Sequence, residues 1–128
     1  MKTHSMMALS LLGGVALGAA AVQGLHAQAR PPAYVVAEID VTNPGPYEKE
    51  YVPGAAKAIT DGGGKYVVRG GQAAAIFGAP PKPRIAIMVF DSMEQARAAF
   101  ESPAYRAAKM IGDKYANFRV YRVEGLPQ

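Results

Sequence analysis

An alternating run of apolar and mixed residues begins the patterned part of the chain, at 33–41. Successive side chains of a strand point to opposite faces, so alternation over several residues predicts a strand with one buried face. The apolar positions on one side are Val35, Ala37, Ile39 and Val41. The β-branched and aromatic content of the run also favours a strand.

A four-residue repeat predicts a first helix over residues 47–60. Its apolar positions are Tyr47, Tyr51, Ala55 and Ile59. Pro53 lies inside this stretch and has no backbone N–H, so we expect it to kink or interrupt the helix. The glycines at 62–64 end the helix, because they allow the left-handed conformation common after a last turn.

Two strands are predicted between the helical regions. Residues 65–69 form the first, and after a bulge or sharp bend at Gly70 and Gly71 we expect 72–77 to continue it. Residues 84–90 form the second, in which Ile85, Ile87 and Val89 alternate with Ala86, Met88 and Phe90. Both faces of this strand are apolar, so both need to be covered, but alternation does not say which set faces the helices.

The second helical region is predicted to be broken in two. Either Ser92 with Gln95 or Asp91 with Glu94 caps a helix that runs to about Phe100. Ser102 with Pro103 begins a further helix that Gly112 ends. The apolar stripe predicted for this further helix is Ala104, Ala107, Ala108 and Ile111. A last strand is predicted over residues 117–123.

The order of these elements, β-α-β-β-α-β, predicts an α+β fold of the ferredoxin-like class. Its four-stranded antiparallel sheet carries the helices on one face. Two helices leave the other face uncovered, although the strand at 84–90 is apolar on both sides. The simplest way to cover this face is a second copy of the chain, packed sheet against sheet in a homodimer.

Residues 1–29 are predicted to be a signal peptide rather than part of the domain, which spans 30–128. Lys2 precedes the uncharged run 6–22, and Ala27-Gln28-Ala29 matches the small-residue pattern of a cleavage site. A retained membrane anchor is the alternative, which the glycines of the apolar run disfavour. We therefore expect a periplasmic or secreted protein with no membrane contact after cleavage.

The composition removes several classes of chemistry. The chain has no Cys, and both histidines, His4 and His26, lie in the predicted leader. A mature chain without His or Cys has no thiolate or imidazole ligand, so we expect no zinc, no haem and no other cofactor. The net charge is +4, and the basic residues are scattered without a nucleic-acid motif, so we expect no nucleic-acid partner.

Several segments in this order resemble the DUF1330 family of the dimeric α/β-barrel superfamily. They are Ala33–Val41, Tyr47 with Tyr51 and Pro53, Gly63–Gly71, Val89–Ser92 and Ser102–Tyr105. The resemblance covers nearly all of residues 33–125 and implies a ferredoxin-like fold that dimerises as an α/β barrel. The family has no established activity. Related families include cofactor-free monooxygenases, haem enzymes and stress-response proteins. The haem enzymes are disfavoured, because the predicted mature chain has no counterpart of their proximal His.

Five residues are candidates for a site. Glu38 and Asp40 lie two apart on one strand, so their carboxylates share a face as an acid–base pair or as a solvated rim. Arg69 precedes two glycines and could bind an anion together with their backbone N–H groups. The alternative is a β-bulge at the glycines, with Arg69 paired to a carboxylate across the dimer. Tyr105 and Tyr115 flank the broken helix, where folds of this kind often open a cleft.

Three functions are compatible with these residues. The first is binding of a small organic ligand in a cleft between helices and sheet of a homodimer. The second is a cofactor-independent enzyme of the monooxygenase or isomerase kind that uses Tyr and Asp or Glu. The third is a purely structural dimer.

Overall fold

The four strands form one antiparallel sheet in the order β2-β3-β1-β4. They are β1 (Ala33–Val41), β2 (Lys65–Gly71), β3 (Arg84–Phe90) and β4 (Ala116–Glu124). The structure is a computed structural model that describes residues 30–128, and the predicted signal peptide lies outside the described residues. The topology is the ferredoxin-like one, so the predicted α+β class is confirmed.

The helices cover one face of this sheet. They are α1 (Val52–Asp61), α2 (Met93–Glu101) and α3 (Pro103–Gly112), and a helical turn (Pro44–Pro46) and a π-helical segment (Tyr47–Tyr51) precede α1. Within residues 30–128, no helix is both long and apolar enough to cross a membrane.

Two serines begin the helices that the sequence predicted. The Ser92 hydroxyl accepts a hydrogen bond from the backbone N–H of Gln95 at 3.1 Å. The Ser102 hydroxyl accepts one from the N–H of Tyr105 at 3.2 Å. Each hydroxyl satisfies a donor that has no partner within its own helix, so the break between α2 and α3 is encoded locally.

The structure decides which side of β3 faces the helices. Met88 and Phe90 are only 2% and 1% exposed and belong to the core beneath the helices. Ile85, Ile87 and Val89 therefore lie on the opposite face of the sheet, where they remain half-buried. We call this opposite face the outer sheet face.

Two predictions of local structure were wrong. Residues 72–77 do not continue β2, because pairing with β3 ends at Gly71 opposite Ile85, and β3 begins only at Arg84. On α3, Ala104 and Ala107 are exposed, whereas the buried stripe is Tyr105, Ala108 and Gly112. The bulky Tyr105 side chain is buried in preference to the alanines, so the helix is rotated by about one residue from the predicted orientation.

Candidate functional site

A cavity of about 370 Å³ lies between the helices and the sheet. Its volume is within the range of pockets that bind small molecules, roughly 300–1,000 Å³. All four strands, all three helices and the π-helical segment contribute to its wall. The aromatic residues of the wall are Tyr47, Tyr51, Tyr66, Phe100, Tyr105 and Phe118.

The π-helical segment aims two tyrosines into this cavity. The N–H of Val52 donates to the carbonyl of Tyr47, five residues back, in place of the usual four. Pro53 follows directly and cannot donate a hydrogen bond at all, so the α-helical pattern is interrupted here as the sequence predicted. Tyr47 and Tyr51 are both buried, and such π-helical turns are frequent at functional sites.

A pair of phenols forms the polar centre of the inner wall. The hydroxyls of Tyr51 and Tyr105 are 3.1 Å apart and share a hydrogen bond. Burial raises the pKa of Tyr51 and of Tyr105 above the ordinary value, so both phenols are protonated at neutral pH. Only one hydrogen is used between them, which leaves the second available to a ligand acceptor.

Charged groups lie at the solvent-exposed edge of the cavity. Arg84 donates from Nη1 to the Glu48 carboxylate at 2.5 Å, and its guanidinium carbon is 4.9 Å from the centre of the Tyr47 ring. Arg69 stacks on Tyr66, with 4.7 Å between its guanidinium carbon and the ring centre. Both arginines line the cavity, so its opening is positively charged on balance.

The neighbouring glycine bends β2 at this opening. The pairing register shifts between Arg69 and Gly71, and Gly70 has a φ of +70°. A Cβ at Gly70 would meet nothing within 4 Å, so the glycine is needed for its left-handed backbone and not for space. This is the β-bulge that the sequence predicted, and it places Arg69 at the cavity edge.

The two acidic candidates lie outside the cavity. Glu38 is on the outer sheet face, where its carboxylate accepts a hydrogen bond from Arg119 at 3.0 Å. Asp40 is exposed near the end of the same strand and lines a separate shallow depression beside Gly70 and Arg84. Within residues 30–128, no group of three His, Cys, Asp or Glu residues could hold a metal ion.

The tyrosine candidates are separated by the fold. Tyr105 lines the cavity, but Tyr115 does not. The Tyr115 phenol pairs instead with Glu50, whose hydrogen bond raises the pKa of the phenol. The backbone carbonyl of Tyr115 accepts hydrogen bonds from the N–H groups of Thr42 at 2.8 Å and Asn43 at 3.2 Å. Tyr115 therefore anchors the loop that follows β1.

Sequence reasoning did not select the other polar residues of the wall. They are Tyr47, Glu48, Tyr51, Tyr66 and Arg84. Signals for three of them were present, because Tyr47 and Tyr51 lie on the apolar face of the predicted helix. Arg84 shares the alternation of Ala86 and Met88. Those signals say which face a residue occupies, but not that the face encloses a cavity.

The model of the domain of unknown function DUF1330 matches residues 32–126. The chain belongs to the DUF1330 family. This agrees with the resemblance found in the sequence, and the match spans the whole described sheet and its helices. No curated protein matches the sequence.

Solved structures share the fold of this DUF1330 chain at low sequence identity. The RPA0582 protein of unknown function from Rhodopseudomonas palustris has a TM-score of 0.60 at 17% identity, over 77% of this chain and 85% of that chain. SnoaB from Streptomyces nogalater, described as a cofactor-independent oxygenase, has a TM-score of 0.54 at 13% identity, over 73% and 91%. A hypothetical Arabidopsis thaliana protein, At3g17210, has a TM-score of 0.52 at 18% identity, over 79% of this chain and 92% of that chain. These similarities show a common fold.

Proposed function

We propose that this DUF1330 protein binds a small organic ligand in the cavity between its helices and sheet. The observation that carries the proposal is the Tyr51–Tyr105 hydroxyl pair inside an apolar wall. Buried polar groups cost free energy unless they are hydrogen-bonded, and a ligand acceptor satisfies the hydrogen that this pair leaves over. An apolar wall with a few convergent polar groups is the usual composition of a ligand site.

The wall also indicates the shape of the ligand. The rings of Phe100 and Tyr105 are 4.6 Å apart edge to face, and those of Tyr51 and Phe118 are 5.1 Å apart. Aromatic walls of this kind favour a flat ligand, because ring edges and faces pack well against another ring. We therefore propose a flat, largely apolar molecule with one acceptor that reaches the phenol pair.

Titration with 2-naphthamide, a flat and uncharged test ligand, checks this proposal. We expect chemical-shift changes in amide NMR spectra at residues of the cavity wall, such as Tyr51, Tyr66 and Ala86. Ala86→Leu adds volume at the sheet side of the cavity and should weaken binding about tenfold or more by excluding the ligand. Ala73→Leu, in the exposed loop after β2, is the matched control and should leave the affinity unchanged.

Two results of this titration would contradict the cavity as the site. One is a set of shift changes that lies on the outer sheet face. The other is equal binding by the protein and its Ala86→Leu variant. Absence of any binding of flat organic molecules would favour the purely structural dimer.

The outer sheet face supports a homodimer as part of the same proposal. Its residues include Val36, Ile85, Ile87, Val89, Tyr121 and Val123. Tyr121 and Val123 are 42% and 47% exposed, and no described helix covers this face. An apolar face of this extent is typical of an interface, and a second sheet of the same chain would cover it.

Export of the protein is proposed from the leader alone. The charge and cleavage patterns within residues 1–29 support removal of this segment and release of a periplasmic or secreted domain. N-terminal sequencing of the protein from its natural cells should then read Arg-Pro-Pro, from Arg30 onwards. A sequence that begins at Met1 would contradict the proposal.

A cofactor-independent enzyme is the second proposal. The observation in its favour is that the Glu48 carboxylate and the phenols surround one cavity, because Tyr with Glu can supply acid–base catalysis. SnoaB, which shares the fold, is described as a cofactor-independent oxygenase. Molecules extracted from the purified protein should then change after incubation with it in air, in mass for an oxygenase or in chromatographic retention at the same mass for an isomerase. An unchanged mass and an unchanged retention would favour binding alone.

A further inference from the structure

We propose that the ligand carries a single negative charge, as a carboxylate, and that Arg69 and Arg84 hold this group at the cavity opening. This inference rests on the proposed function, because it names the chemical class of molecule that the same cavity takes. It is carried by the placement of two guanidinium groups beside an apolar, phenol-lined space.

The sheet brings the two arginines together. Arg69 of β2 lies opposite Ala86 of β3, and Arg84 precedes Ala86 by two residues on the same face. Both side chains line the same cavity, so one ligand can contact both guanidinium groups. An anion between two like charges lowers their repulsion as well as forming hydrogen bonds.

The charges at the opening are not balanced within the described part of the chain. Glu48 accepts one hydrogen bond from Nη1 of Arg84, and a guanidinium has five N–H donors, so Arg84 keeps donors for a second acceptor. Arg69 forms none of the six ion pairs found among residues 30–128. Among the charged residues that line the cavity, two guanidiniums and one carboxylate leave one positive charge for a ligand.

Arg69 is held ready for this role by Tyr66. Its guanidinium lies over the Tyr66 ring at 4.7 Å, and both side chains line the cavity. Stacking restricts the planar group while its edge, which carries the N–H donors, stays free. A planar carboxylate is the acceptor that such an edge pairs with in two parallel hydrogen bonds.

The negative charge of Glu48 at the opening favours a carboxylate ligand over a phosphate ligand. The Glu48 side chain lines the same opening, so one net positive charge is left there. A singly charged carboxylate balances that charge, whereas a doubly charged phosphate would leave an excess negative charge beside Glu48. The rest of the wall is apolar and aromatic and suits the body of an organic acid. The ligand class is therefore a flat organic acid, with its carboxylate at the arginines and, inside the cavity, a ring that carries the acceptor for the phenol pair.

A pair of isosteric test ligands isolates the charge. 2-Naphthoate is anionic at pH 7 and 2-naphthamide is neutral, and the two differ little in shape. We expect calorimetric titration to give at least about tenfold tighter binding of the acid, because hydrogen bonds to a charged acceptor are the stronger ones. Arg69→Gln should remove this preference and change the affinity for the amide less than twofold.

Arg106→Gln is the matched control, because Arg106 is exposed on α3 and does not line the cavity. It should leave both affinities unchanged. Equal binding of acid and amide by the unmodified protein would overturn the carboxylate inference and leave the cavity as the site of a neutral ligand. A preference for the acid that survives in Arg69→Gln would also overturn it. Binding of neither molecule would contradict the proposed function itself.

Discussion

Met88→Asp should give no folded protein, whereas Ile87→Asp, one residue earlier on the same strand, should give a folded monomer. Met88 is 2% exposed beneath the helices, so a carboxylate there would be buried without a partner. The effective penalty for such a charge is several kcal/mol, and the lost side chain costs about 2–5 kcal/mol more. The total is comparable with the roughly 5–15 kcal/mol that stabilises a typical domain.

Ile87 lies on the outer sheet face, next to Val36 of β1. A carboxylate there stays in water in a monomer but would be buried in the proposed sheet-to-sheet homodimer. Circular dichroism should therefore show native structure for Ile87→Asp, and sedimentation at micromolar concentration should give half the mass of the unmodified protein. A dimeric Ile87→Asp variant, or a monomeric unmodified protein, would contradict the homodimer. A folded Met88→Asp variant would contradict the assignment of the faces.

Gly112→Ala should destabilise the domain although alanine is the better helix former. A Cβ at Gly112 would lie 2.5 Å from Cδ1 of Tyr51 and 3.0 Å from Cζ of Phe118. These distances are too short, so the two cavity-wall rings would have to move. Overpacking of this kind costs about 1–3 kcal/mol, which outweighs a helix-propensity gain of at most about 0.5–1 kcal/mol at the last residue of α3.

Gly54→Ala is the matched control in another helix. A Cβ at Gly54 would meet only Cβ of Ala108, at an ordinary contact distance of 3.8 Å. We expect this variant to raise the free energy of unfolding by about 0.5–1 kcal/mol. Urea denaturation should therefore show a lower free energy of unfolding for Gly112→Ala and a higher one for Gly54→Ala. A Gly112→Ala variant as stable as the unmodified protein would contradict the packing around Gly112. Because Tyr51 would move, Gly112→Ala should also weaken binding of 2-naphthamide.

Local signals explain which parts of the fold were predictable from the sequence. β1 and β3 have the predicted bounds, because their alternation and β-branched content act over a few residues. Ser102, and Ser92 as one of two possible caps, were recognised because a cap requires only a side chain and the backbone three residues later. The interactions that define these elements lie within each short segment, so the local sequence is enough to predict them.

Other features depend on contacts that a linear pattern does not contain. Residues 72–77 have strand-like composition, yet no residues of β3 remain to pair with them. The buried side of β3 follows from where the helices pack, so alternation left it open. On α3, the competition between Tyr105 and the alanines for burial was decided by the space available against the sheet.

The candidate site was predictable only where the face of a strand or helix on which a residue lies also determines what that residue contacts. Arg69 and Tyr105 line the cavity, because the bulge and the cap that place them can be read locally. Glu38 and Asp40 lie away from it, and their position opposite the apolar side of β1 already indicated this. The pairing of Tyr51 with Tyr105 joins residues 54 positions apart and follows only from the packing of the helices.

Native mass spectrometry of the protein purified from its natural cells tests the central claim most directly. Ligand binding in the cavity predicts a small organic molecule that stays with the protein under gentle ionisation, up to one per chain. Purified in the same way, the Ala86→Leu variant should lose the molecule and Ala73→Leu should retain it. A bare protein mass in every preparation, or a molecule that Ala86→Leu retains in full, would contradict the cavity as a ligand site.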